Sequence, residues 1–529
     1  MMLFSTFFVT LVASLVAAET HTWYFSTGWV NANPDGNFER PVMTLNGTWP
    51  LPILRVKTGD TVNFYLTNGF DDRNTSMHFH GMFQNGSSFM DGAEMVTQCP
   101  ISPGDTMLYN FTVGHQVGTY WYHSHTTGQY GDGMRGVFVI EEQRSEDYPF
   151  VFDEEVVLPI GDWYHSNADT LIPNFMSPQN PSGAEPIPKN LLFNETRNNS
   201  WVVEPSKTYL VRIRQCWRFC FAPTTTDVLY ITVAQRYDVL ITTKNDTSKN
   251  YAFMSKLDDT MLDDIPGDLV LNSTNFIVYN ESSSLPVEYT VSSLEGFLDD
   301  MSLVPSSGEK LLDDSDVLVT LDVTMDNLVD GINYAFFNNV TYTTPKVPIL
   351  ATAISAGELA KNNNIYGNVN AFVLEKGDIV DIVVNNKDTG KHPFHLHGHV
   401  FQVIARGRGV DEALAPVSYN PHDHVAFPEY PLVRDTVYVN AQSYIVLRFK
   451  ADNPGVWLFH CHIEWHLEQG LVATFIEAPT ELQKTQKFTE GWKSVCSNSG
   501  VFMRGNCAGN VVDFMDLTGA NVQQKPLLH

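Results

Sequence analysis

Short apolar runs separated by turn-forming residues dominate the sequence, and many of them alternate apolar with polar positions. Clear examples span residues 61–66, 136–140 and 379–384, with Gly, Pro, Asn and Asp between such runs. Alternation with a period of two places every second side chain on one face of a strand, which is typical of antiparallel sandwiches. Long amphipathic helical patterns are scarce. The pattern therefore predicts an all-β protein.

Chain length and an internal repeat indicate how these strands are grouped. The 529 residues correspond to about three domains of ordinary size. We expect domains at residues 19–143, 144–295 and 296–480, followed by a tail over 481–529. The first and third blocks each carry one His-x-His cluster early and another late, and each late cluster follows a turn and an aromatic run. We interpret these blocks as related domains that jointly hold one site.

Composition and charge exclude several classes of partner. Hydrophobic residues make up 43% of the chain and aromatic residues 12%, which allows a large packed core and argues against wholesale disorder. The formal net charge of -28 makes nucleic acid and anionic membrane surfaces poor partners. An acidic surface also keeps a secreted protein soluble. We therefore expect no nucleic-acid partner.

The N-terminal residues point to export. Residues 1–18 are largely apolar and end in Val16-Ala17-Ala18, a small-residue pattern typical of signal-peptide cleavage. Ten Asn-x-Ser/Thr sequons suit a glycosylated secretory protein, and they begin at Asn46, Asn74, Asn85, Asn110, Asn194, Asn198, Asn245, Asn272, Asn280 and Asn339. No later apolar stretch is long enough to span a bilayer. We expect an extracytoplasmic mature chain.

Four short motifs collect ten of the 17 histidines. They are His78-Phe79-His80-Gly81, His123-Ser124-His125, His392-Pro393-Phe394-His395-Leu396-His397 and His460-Cys461-His462-Ile463-Glu464-Trp465-His466. Alternate residues of a strand project from one face about 6.6 Å apart, so two such imidazoles can reach neighbouring metal ions of one cluster. Cys461 stands between His460 and His462 and therefore faces away from the metals that those histidines bind.

The cysteine indicates which metal these motifs bind. A thiolate with two histidines makes a trigonal blue-copper site for electron transfer. Zinc is the nearest alternative, but ten imidazoles and one thiolate suit copper better than a closed tetrahedral zinc site. An electron that arrives at Cys461 has only a peptide segment to cross to reach His460 and His462. The motifs thus predict an enzyme that collects single electrons and reduces oxygen to water.

The motifs resemble those of the multicopper oxidases, which include laccases, ascorbate oxidases and the fungal iron-uptake ferroxidases. The resemblance implies three consecutive cupredoxin-like Greek-key β-sandwich domains and four copper ions, one of type 1, one of type 2 and a type 3 pair. It assigns His392, Cys461 and His466 to type 1, with Leu471 in the axial position, His78 and His395 to type 2, and His80, His123, His125, His397, His460 and His462 to type 3. A leucine cannot ligate, which favours a higher potential than methionine does.

The same resemblance implies the roles of several carboxylates. Asp91 and Glu464 match acidic residues that the family uses to deliver protons to oxygen. Stretches over residues 181–188, 257–263 and 388–392 look most like the fungal iron-uptake ferroxidases. That likeness implies an Fe(II) site formed by Glu185, Asp263 and Asp388, while Asp258 and Asp259 either assist or belong to a solvated turn. Carboxylates bind Fe(III) more strongly than Fe(II), which makes the iron a better reductant.

The implied setting is iron uptake at the cell surface, with Fe(II) and oxygen as substrates. An iron permease in the membrane is the implied partner, and the chain is expected to be a monomer or part of a permease complex. The permease-coupled members of the family continue into a transmembrane helix, whereas this chain stops at His529. Two alternatives stay open: a laccase-like phenol oxidase, and an inactive copper-binding product of a damaged gene.

The second alternative arises from the middle domain. Residues 214–221 form a basic segment with two cysteines, and the family normally carries additional strands at this position. The segment reads like a frameshifted or mis-spliced connection, so the middle domain is expected to be shortened near 214–228 and to have open sheet edges. That expectation leaves the copper ligands intact and puts the placement of Asp263 in question.

The remaining cysteines and one further histidine motif have structural interpretations. With Cys461 assigned to copper, five cysteines are left, so at least one is unpaired. The preferred disulfide joins Cys99 to Cys496, with Cys507 as the alternative partner. His422-Asp423-His424 also looks metal-like, but we interpret it as a loop because no spare copper needs it.

Overall fold

The computed structural model describes residues 18–144, 147–197, 199–213, 224–267, 269–287, 289–291, 296–409, 414–422 and 426–526. The expected signal peptide up to residue 17, the segment with Cys216 and Cys220, and two residues of the His422-Asp423-His424 motif lie outside them. His422 itself lies in an exposed turn. Strands make up most of the regular structure in these ranges, and none of their helices has the length and apolar character needed to cross a bilayer.

The first domain packs two four-stranded sheets against each other. Its strands are β1 (Thr20–Ala32), β2 (Arg40–Leu45), β3 (Leu54–Lys57), β4 (Thr61–Thr67), β5 (His78–His80), β6 (Thr106–Thr112), β7 (Gly118–His123) and β8 (Arg135–Glu141). One sheet has the order β2-β1-β4-β6 and the other β3-β8-β7-β5. The alternation predicted at 61–66 is the pattern of β4, in which Val62, Phe64 and Leu66 are fully buried between the sheets.

The middle domain has smaller sheets. Its elements are β9 (Glu154–Val157), β10 (Ile160–Trp163), α1 (Ala168–Phe175), β11 (Asn190–Phe193), β12 (Ser200–Val202), β13 (Thr208–Ile213), β14 (Tyr237–Thr242), β15 (Tyr251–Lys256), a 3-10 turn (Asp259–Met261) and β16 (Asn272–Val278). The sheet orders are β10-β11, β12-β16-β15 and β14-β13-β9. The predicted shortening lies mostly outside the described residues, and β13 ends directly before that gap.

The third domain has the largest sheets. Its elements are a 3-10 turn (Asp300–Ser302), β17 (Val317–Asn327), β18 (Asn333–Phe337), α2 (Ile349–Ser355), 3-10 turns (Gly357–Lys361 and Asn363–Tyr366), β19 (Ala371–Leu374), β20 (Ile379–Asn386), β21 (His392–Leu396), β22 (Phe401–Arg406), β23 (Leu432–Arg434), β24 (Thr436–Val439), β25 (Tyr444–Lys450), β26 (Gly455–Cys461), α3 (Glu464–Glu468) and β27 (Val472–Glu477). The sheet orders are β18-β17-β20-β25-β22-β23 and β19-β27-β26-β21-β24.

The tail returns to the first domain and fastens it to the third. It contains α4 (Pro479–Thr485) and α5 (Glu490–Asn498). Cys496 of α5 forms the predicted disulfide with Cys99, and Cys507 is buried and outside any disulfide. The indole Nε1 of Trp492 donates to the carbonyl oxygen of Thr97 at 3.0 Å. The tail thus fixes the relative position of the two domains that carry the histidine motifs.

Candidate metal centre

Two pairs of strands bring the four histidine motifs together between the first and third domains. Antiparallel pairing of β5 with β7 places His78 opposite His123, and pairing of β21 with β26 places His395 opposite His460. The two domains then interleave their rings, because His78 stacks on His397 with the ring centres 4.0 Å apart. The two blocks that share the sequence pattern therefore contribute to one buried cluster.

Most rings of this cluster are oriented by a hydrogen bond from one nitrogen. Nδ1 lies 2.6 Å from Asp91 O in His78, 2.9 Å from Ser124 O in His123, 2.8 Å from Asp435 O in His395, 2.8 Å from Cys461 O in His460, and 2.8 Å from Asp91 Oδ2 in His397. Carbonyl and carboxylate oxygens only accept, so each Nδ1 carries the proton and each Nε2 carries a lone pair. His80 is reversed, since its Nε2 lies 3.2 Å from Thr436 Oγ1.

The other ring nitrogens are buried without a hydrogen-bond partner. They are Nε2 of His78, His123, His125 and His395, Nδ1 of His80, and both nitrogens of His462. The Nε2 atoms of His397 and His460 lie 3.1 Å apart although both Nδ1 protons are donated elsewhere, so two lone pairs face each other. Each neutral imidazole has one nitrogen without a proton, and such an acceptor is costly to leave unsatisfied when it is buried. A metal cation between these nitrogens satisfies them, and the donor set fits copper.

Electrostatics keeps these rings in the form that binds metal. Burial lowers the pKa of His397 and of His460 to about 3, with the neighbouring charged groups adding smaller effects. Burial and the neighbouring imidazoles also hold the pKa of His395 and of His462 well below the ordinary value. Neutral imidazole is the ligand form, so no proton has to leave at neutral pH.

The ligand atoms fall into overlapping groups of three within 4.8 Å of one another. These groups are His78 with His395 and His397, His78 with His80 and His123, His125 with His397 and His460, and His80 with His395 and Asp435. His462 joins the cluster through ring-centre distances of 5.0 Å to His80 and 5.4 Å to His123. Several overlapping groups suit a site for more than one metal ion.

Cys461 belongs to a separate three-ligand set on the other side of β26. It pairs with Phe394 of β21 rather than with a histidine. Its Sγ lies 3.2 Å from His466 Nδ1 and 3.7 Å from His392 Nδ1, and the two Nδ1 atoms are 3.0 Å apart. Burial opposes ionisation, but the two histidines lower the pKa of Cys461 to about 7, which favours the ligating thiolate.

Leu471 lies in the core beside this three-ligand set. It is fully buried in the same apolar cluster as Cys461 and Phe394. Its backbone N–H donates to His466 O at 3.0 Å, and its carbonyl oxygen accepts from Cys461 N at 3.2 Å. Because its side chain has no ligand atom, the set consists of two nitrogens and one sulfur.

The three carboxylates predicted for the donor site meet at the outer edge of this set. Asp388 Oδ2 lies 3.0 Å from Nε2 of His392, and Glu185 Oε1 contacts Nε2 of His466. Asp263 of the middle domain accepts a hydrogen bond from Glu185 N at 2.8 Å. Burial would raise the pKa of Asp388, but the hydrogen bond and charge of His392 hold it well below its usual range. Burial raises the pKa of Asp263, and nearby carboxylates add to that rise.

Glu464 borders a small cavity beside the histidine cluster. The cavity has a volume of about 20 Å³ and is also lined by Thr127, Tyr130, His460 and His462. Glu464 Oε1 accepts from Gly128 N at 2.6 Å. Burial, together with the charge of Glu468, raises the pKa of Glu464 well above its ordinary value, so the carboxyl group retains a proton at neutral pH.

Asp91 contacts other rings of the cluster, His78 and His397, and its ionisation is opposite to that of Glu464. Burial would raise its pKa, but the charges and hydrogen bonds of His397 and His78 hold it far below the usual range. The cluster therefore borders both an ionised carboxylate and a protonated carboxyl group. One carboxyl orients ligands, while the other carries a proton beside a cavity of about the size of one water.

Two nearby residues escaped the sequence prediction. Glu468 follows Glu464 by one helical turn, and burial raises its pKa as well. The i, i+4 spacing on α3 was the available signal for it. Asp435 orients His395 through its backbone oxygen, and nothing in the local sequence indicates this contact.

Cys461, His392 and His466 form a set of three ligands, called the thiolate set below. This set is joined through His460-Cys461-His462 to the buried histidine cluster, and in an all-β fold the combination defines a copper-dependent oxidoreductase. The chain belongs to the multicopper oxidase family: models described as multicopper oxidase match residues 26–145, 154–216, 220–282 and 342–481. The match over the middle domain is interrupted between residues 216 and 220. Family membership and the three-cupredoxin fold expected from the sequence are thus confirmed.

Several relatives of known name are fungal. The iron transport multicopper oxidase FET3 of Candida albicans is 58% identical over 539 aligned residues, which cover 98% of this chain and 86% of the relative. The Saccharomyces cerevisiae protein of the same name is 53% identical over 96% of this chain and 84% of the relative. The first alignment is longer than this chain, so that relative carries residues within the aligned range that this chain lacks.

Two solved structures show the same architecture. The crystal structure of Fet3p, described as a multicopper oxidase that functions in iron import, matches with a TM-score of 0.92 and 53% identity, over 96% of this chain and 100% of that chain. A laccase from Botrytis aclada matches with a TM-score of 0.74 and 27% identity, over 91% of each chain.

Proposed function

We propose that this protein is a ferroxidase that oxidises Fe(II) to Fe(III) and reduces oxygen to water in cellular iron uptake. The observation that carries the proposal is the contact of Glu185 and Asp388 with the outer nitrogens of His466 and His392. Anionic oxygen ligands suit iron, and they sit directly on the rings of the thiolate set. The names of the relatives, which refer to iron transport and iron import, support the same substrate.

Four copper ions are proposed, held by the residues that the family resemblance assigns. His392, Cys461 and His466 would hold type 1, with Leu471 axial, His78 and His395 type 2, and His80, His123, His125, His397, His460 and His462 the type 3 pair. Bound copper supplies one-electron redox chemistry between the donor and oxygen. The buried ring nitrogens without partners support these assignments.

The chain's own groups organise the two ends of the reaction. Glu185, Asp263 and Asp388 would bind iron and favour Fe(III), which lowers the potential of the donor. The segment His460-Cys461-His462 gives a covalent connection between the thiolate set and the cluster. Oxygen reduction to two waters takes up four protons, and Glu464 would release protons into the adjacent cavity while Asp91 keeps His397 oriented.

Oxygen consumption with Fe(II) and with a phenol tests the donor. Glu185→Ala is expected to reduce kcat/KM for Fe(II) by about a hundredfold, because it removes one anionic ligand and its contact with His466. Activity on a phenol should change little. Glu204→Ala, at an exposed carboxylate of the middle domain, is the matched control. An unchanged preference for Fe(II) in Glu185→Ala would contradict the proposed donor site.

A phenol oxidase is the second candidate, and one observation favours it. A cavity of about 1610 Å³ extends through the middle domain, and its lining includes Glu185, Lys391 and Trp465, which neighbour the thiolate set. Such a cavity has room for an aromatic donor. Activity on phenols above that on Fe(II) would support this candidate. An inactive copper protein would instead show a blue absorption band, lost in Cys461→Ser, without oxygen turnover.

The cell surface as location and an iron permease as partner are also proposed, because the resemblance to iron-uptake ferroxidases implies both, while the relatives' names refer only to iron transport. A monomer or a subunit of a permease complex fits this setting. Co-purification of the copper-loaded chain with such a permease is the corresponding measurement.

A further inference from the structure

The loop that carries Asp263 contacts the third domain at Lys391. This loop, residues 257–263, follows β15 of the middle domain and meets Lys391, the residue before His392. Lys391 Nζ lies 2.5 Å from Asp258 Oδ2 and 3.3 Å from Thr260 Oγ1. The backbone N–H of Lys391 also donates to the sulfur of Met261 at 3.3 Å. One residue of the third domain thus contacts three residues of the loop.

Asp258 is the centre of this contact, and both of its carboxylate oxygens accept hydrogen bonds. Its Oδ2 accepts from the hydroxyl of Tyr230 at 2.7 Å, and its Oδ1 accepts from the hydroxyl of Thr260 at 2.7 Å. Lys391 Nζ also lies 4.9 Å from the centre of the Tyr230 ring. Burial would raise the pKa of Asp258, but the hydrogen bonds from Lys391, Thr260 and Tyr230 lower it, so the carboxylate is ionised.

Shielding from solvent makes this ion pair more than a surface contact. The side chain of Asp258 is 11% exposed and that of Lys391 is 25% exposed. Exposed ion pairs contribute little, whereas removing one partner of a shielded pair leaves the other charge unsatisfied. Asp258 is therefore engaged by an ammonium group and not free to bind iron at the same time.

The two ends of the loop are held at different places. Asp258 is held by Lys391, and Asp263 is held by the backbone N–H of Glu185 at 2.8 Å. A single 3-10 turn, Asp259–Met261, separates them. Fixing Asp258 thus restricts where Asp263 can lie relative to Glu185 and Asp388.

We propose that Lys391 is a positioning residue that determines specificity for iron. It holds the loop 257–263 against the residue adjacent to His392 and so places Asp263 of the middle domain beside two carboxylates that contact the thiolate set. This inference rests on the proposed ferroxidase function and adds a residue that acts on the iron donor and not on an aromatic one.

The direction of the effect separates positioning from simple electrostatics. Lys391 carries a positive charge three residues after Asp388, one of the three carboxylates proposed to bind iron. If only that charge mattered, its removal would strengthen Fe(II) binding and lower KM. If Lys391 positions the loop, its removal misplaces Asp263 and raises KM. The two readings predict opposite changes.

The test uses the copper-loaded full chain with Lys391→Met. We expect KM for Fe(II) to rise roughly tenfold, as for the loss of one charge-assisted hydrogen bond, with kcat within about twofold. KM for a phenol and the blue absorption band should stay unchanged. Asp258→Asn should reproduce the defect, and the double variant should be no worse than either single variant. Lys391→Arg should restore most of the wild-type KM.

Lys387→Met is the matched control, since Lys387 pairs with Asp322 within the third domain at 2.6 Å. An unchanged or lowered KM for Fe(II) in Lys391→Met, or an equal rise for the phenol, would overturn the inference. Should Lys391→Met fail to fold, Lys391→Gln provides the same comparison, because it also removes the positive charge and the two explanations again predict opposite changes in KM. A wild type without Fe(II) oxidation would overturn the proposed function, and the inference with it.

Discussion

At the scale of single residues, the chemistry depends on which nitrogen of each ring is held. Asp91 shows this most clearly, because its backbone oxygen orients His78 while its carboxylate orients His397. One residue of the first domain therefore fixes a ring from each of the two domains. The lone pairs left on Nε2 point into the cluster, and copper binding needs no change of tautomer.

Glu464 is expected to set the pH dependence of oxygen reduction. Its pKa is raised by burial, so the carboxyl group is protonated below that raised value and loses its proton as pH increases through it. The rate of oxygen reduction should therefore fall over that range. Glu464→Gln keeps the shape of the side chain but removes its acidic proton, so kcat should drop by about a hundredfold.

Stopped-flow measurements without oxygen record only the reduction of the enzyme by Fe(II). Glu464→Gln should leave the rate of this step unchanged, so a lower kcat would come from oxygen reduction. Glu481→Gln, at an exposed carboxylate paired with Lys376, serves as control. A wild-type kcat in Glu464→Gln would contradict a proton-donating role.

The limits of sequence prediction are also visible at this scale. That His78 and His80 share one face, and that Cys461 faces away from His460, could be predicted because strand periodicity decides which face each side chain occupies. His466 lies on α3, beyond the end of β26, so strand periodicity does not predict its position. The roles of Lys391 and Asp435 could not be predicted, because they depend on contacts between distant segments. Lys391 lies 133 residues from Asp258 in sequence, so the local sequence around either residue does not predict their contact.

At the scale of elements, strand register accounts for the internal repeat. The early and late motifs of the first domain pair as β5 with β7, and those of the third pair as β21 with β26. The alternation of apolar positions predicted the strands themselves. It does not specify which strands become neighbours, because a period of two is shared by every strand of a sandwich.

The disulfide between α5 and the first domain is expected to stabilise the molecule without affecting its chemistry. Cys99 and Cys496 are 397 residues apart in sequence, so the cross-link closes a very long loop in the unfolded chain. Cys496→Ser should cost about 2–4 kcal/mol and lower the thermal midpoint. Copper content and kcat at room temperature should be retained.

Scanning calorimetry measures this difference. Cys507→Ser is the matched control, since it removes a buried thiol without removing a cross-link. An equal loss in both variants would show that thiol burial, rather than the cross-link, carries the effect.

At the scale of the whole molecule, the middle domain supports a site whose proposed copper ligands all come from its neighbours. Arg236 forms a buried ion pair with Asp435 of the third domain at 2.9 Å and donates to Thr119 O of the first domain at 3.2 Å. Glu185 and Asp263 come from the same domain. The sequence put the placement of Asp263 in question, and the structure places it on Glu185, next to the thiolate set.

Copper removal is expected to weaken the interface between the first and third domains. The buried ring nitrogens come from both domains, so copper bound between them acts as a cross-link, and its loss leaves unsatisfied acceptors at the interface. A ligand present at a thousandfold excess over its Kd stabilises the folded state by about 4 kcal/mol, so the thermal midpoint should fall in the copper-depleted protein. The two domains should also unfold together when copper is bound and in separate transitions without it. Calorimetry of both forms measures this, and re-addition of copper should restore a single transition. Identical transitions in the two forms would mean that packing and the tail alone hold the domains together.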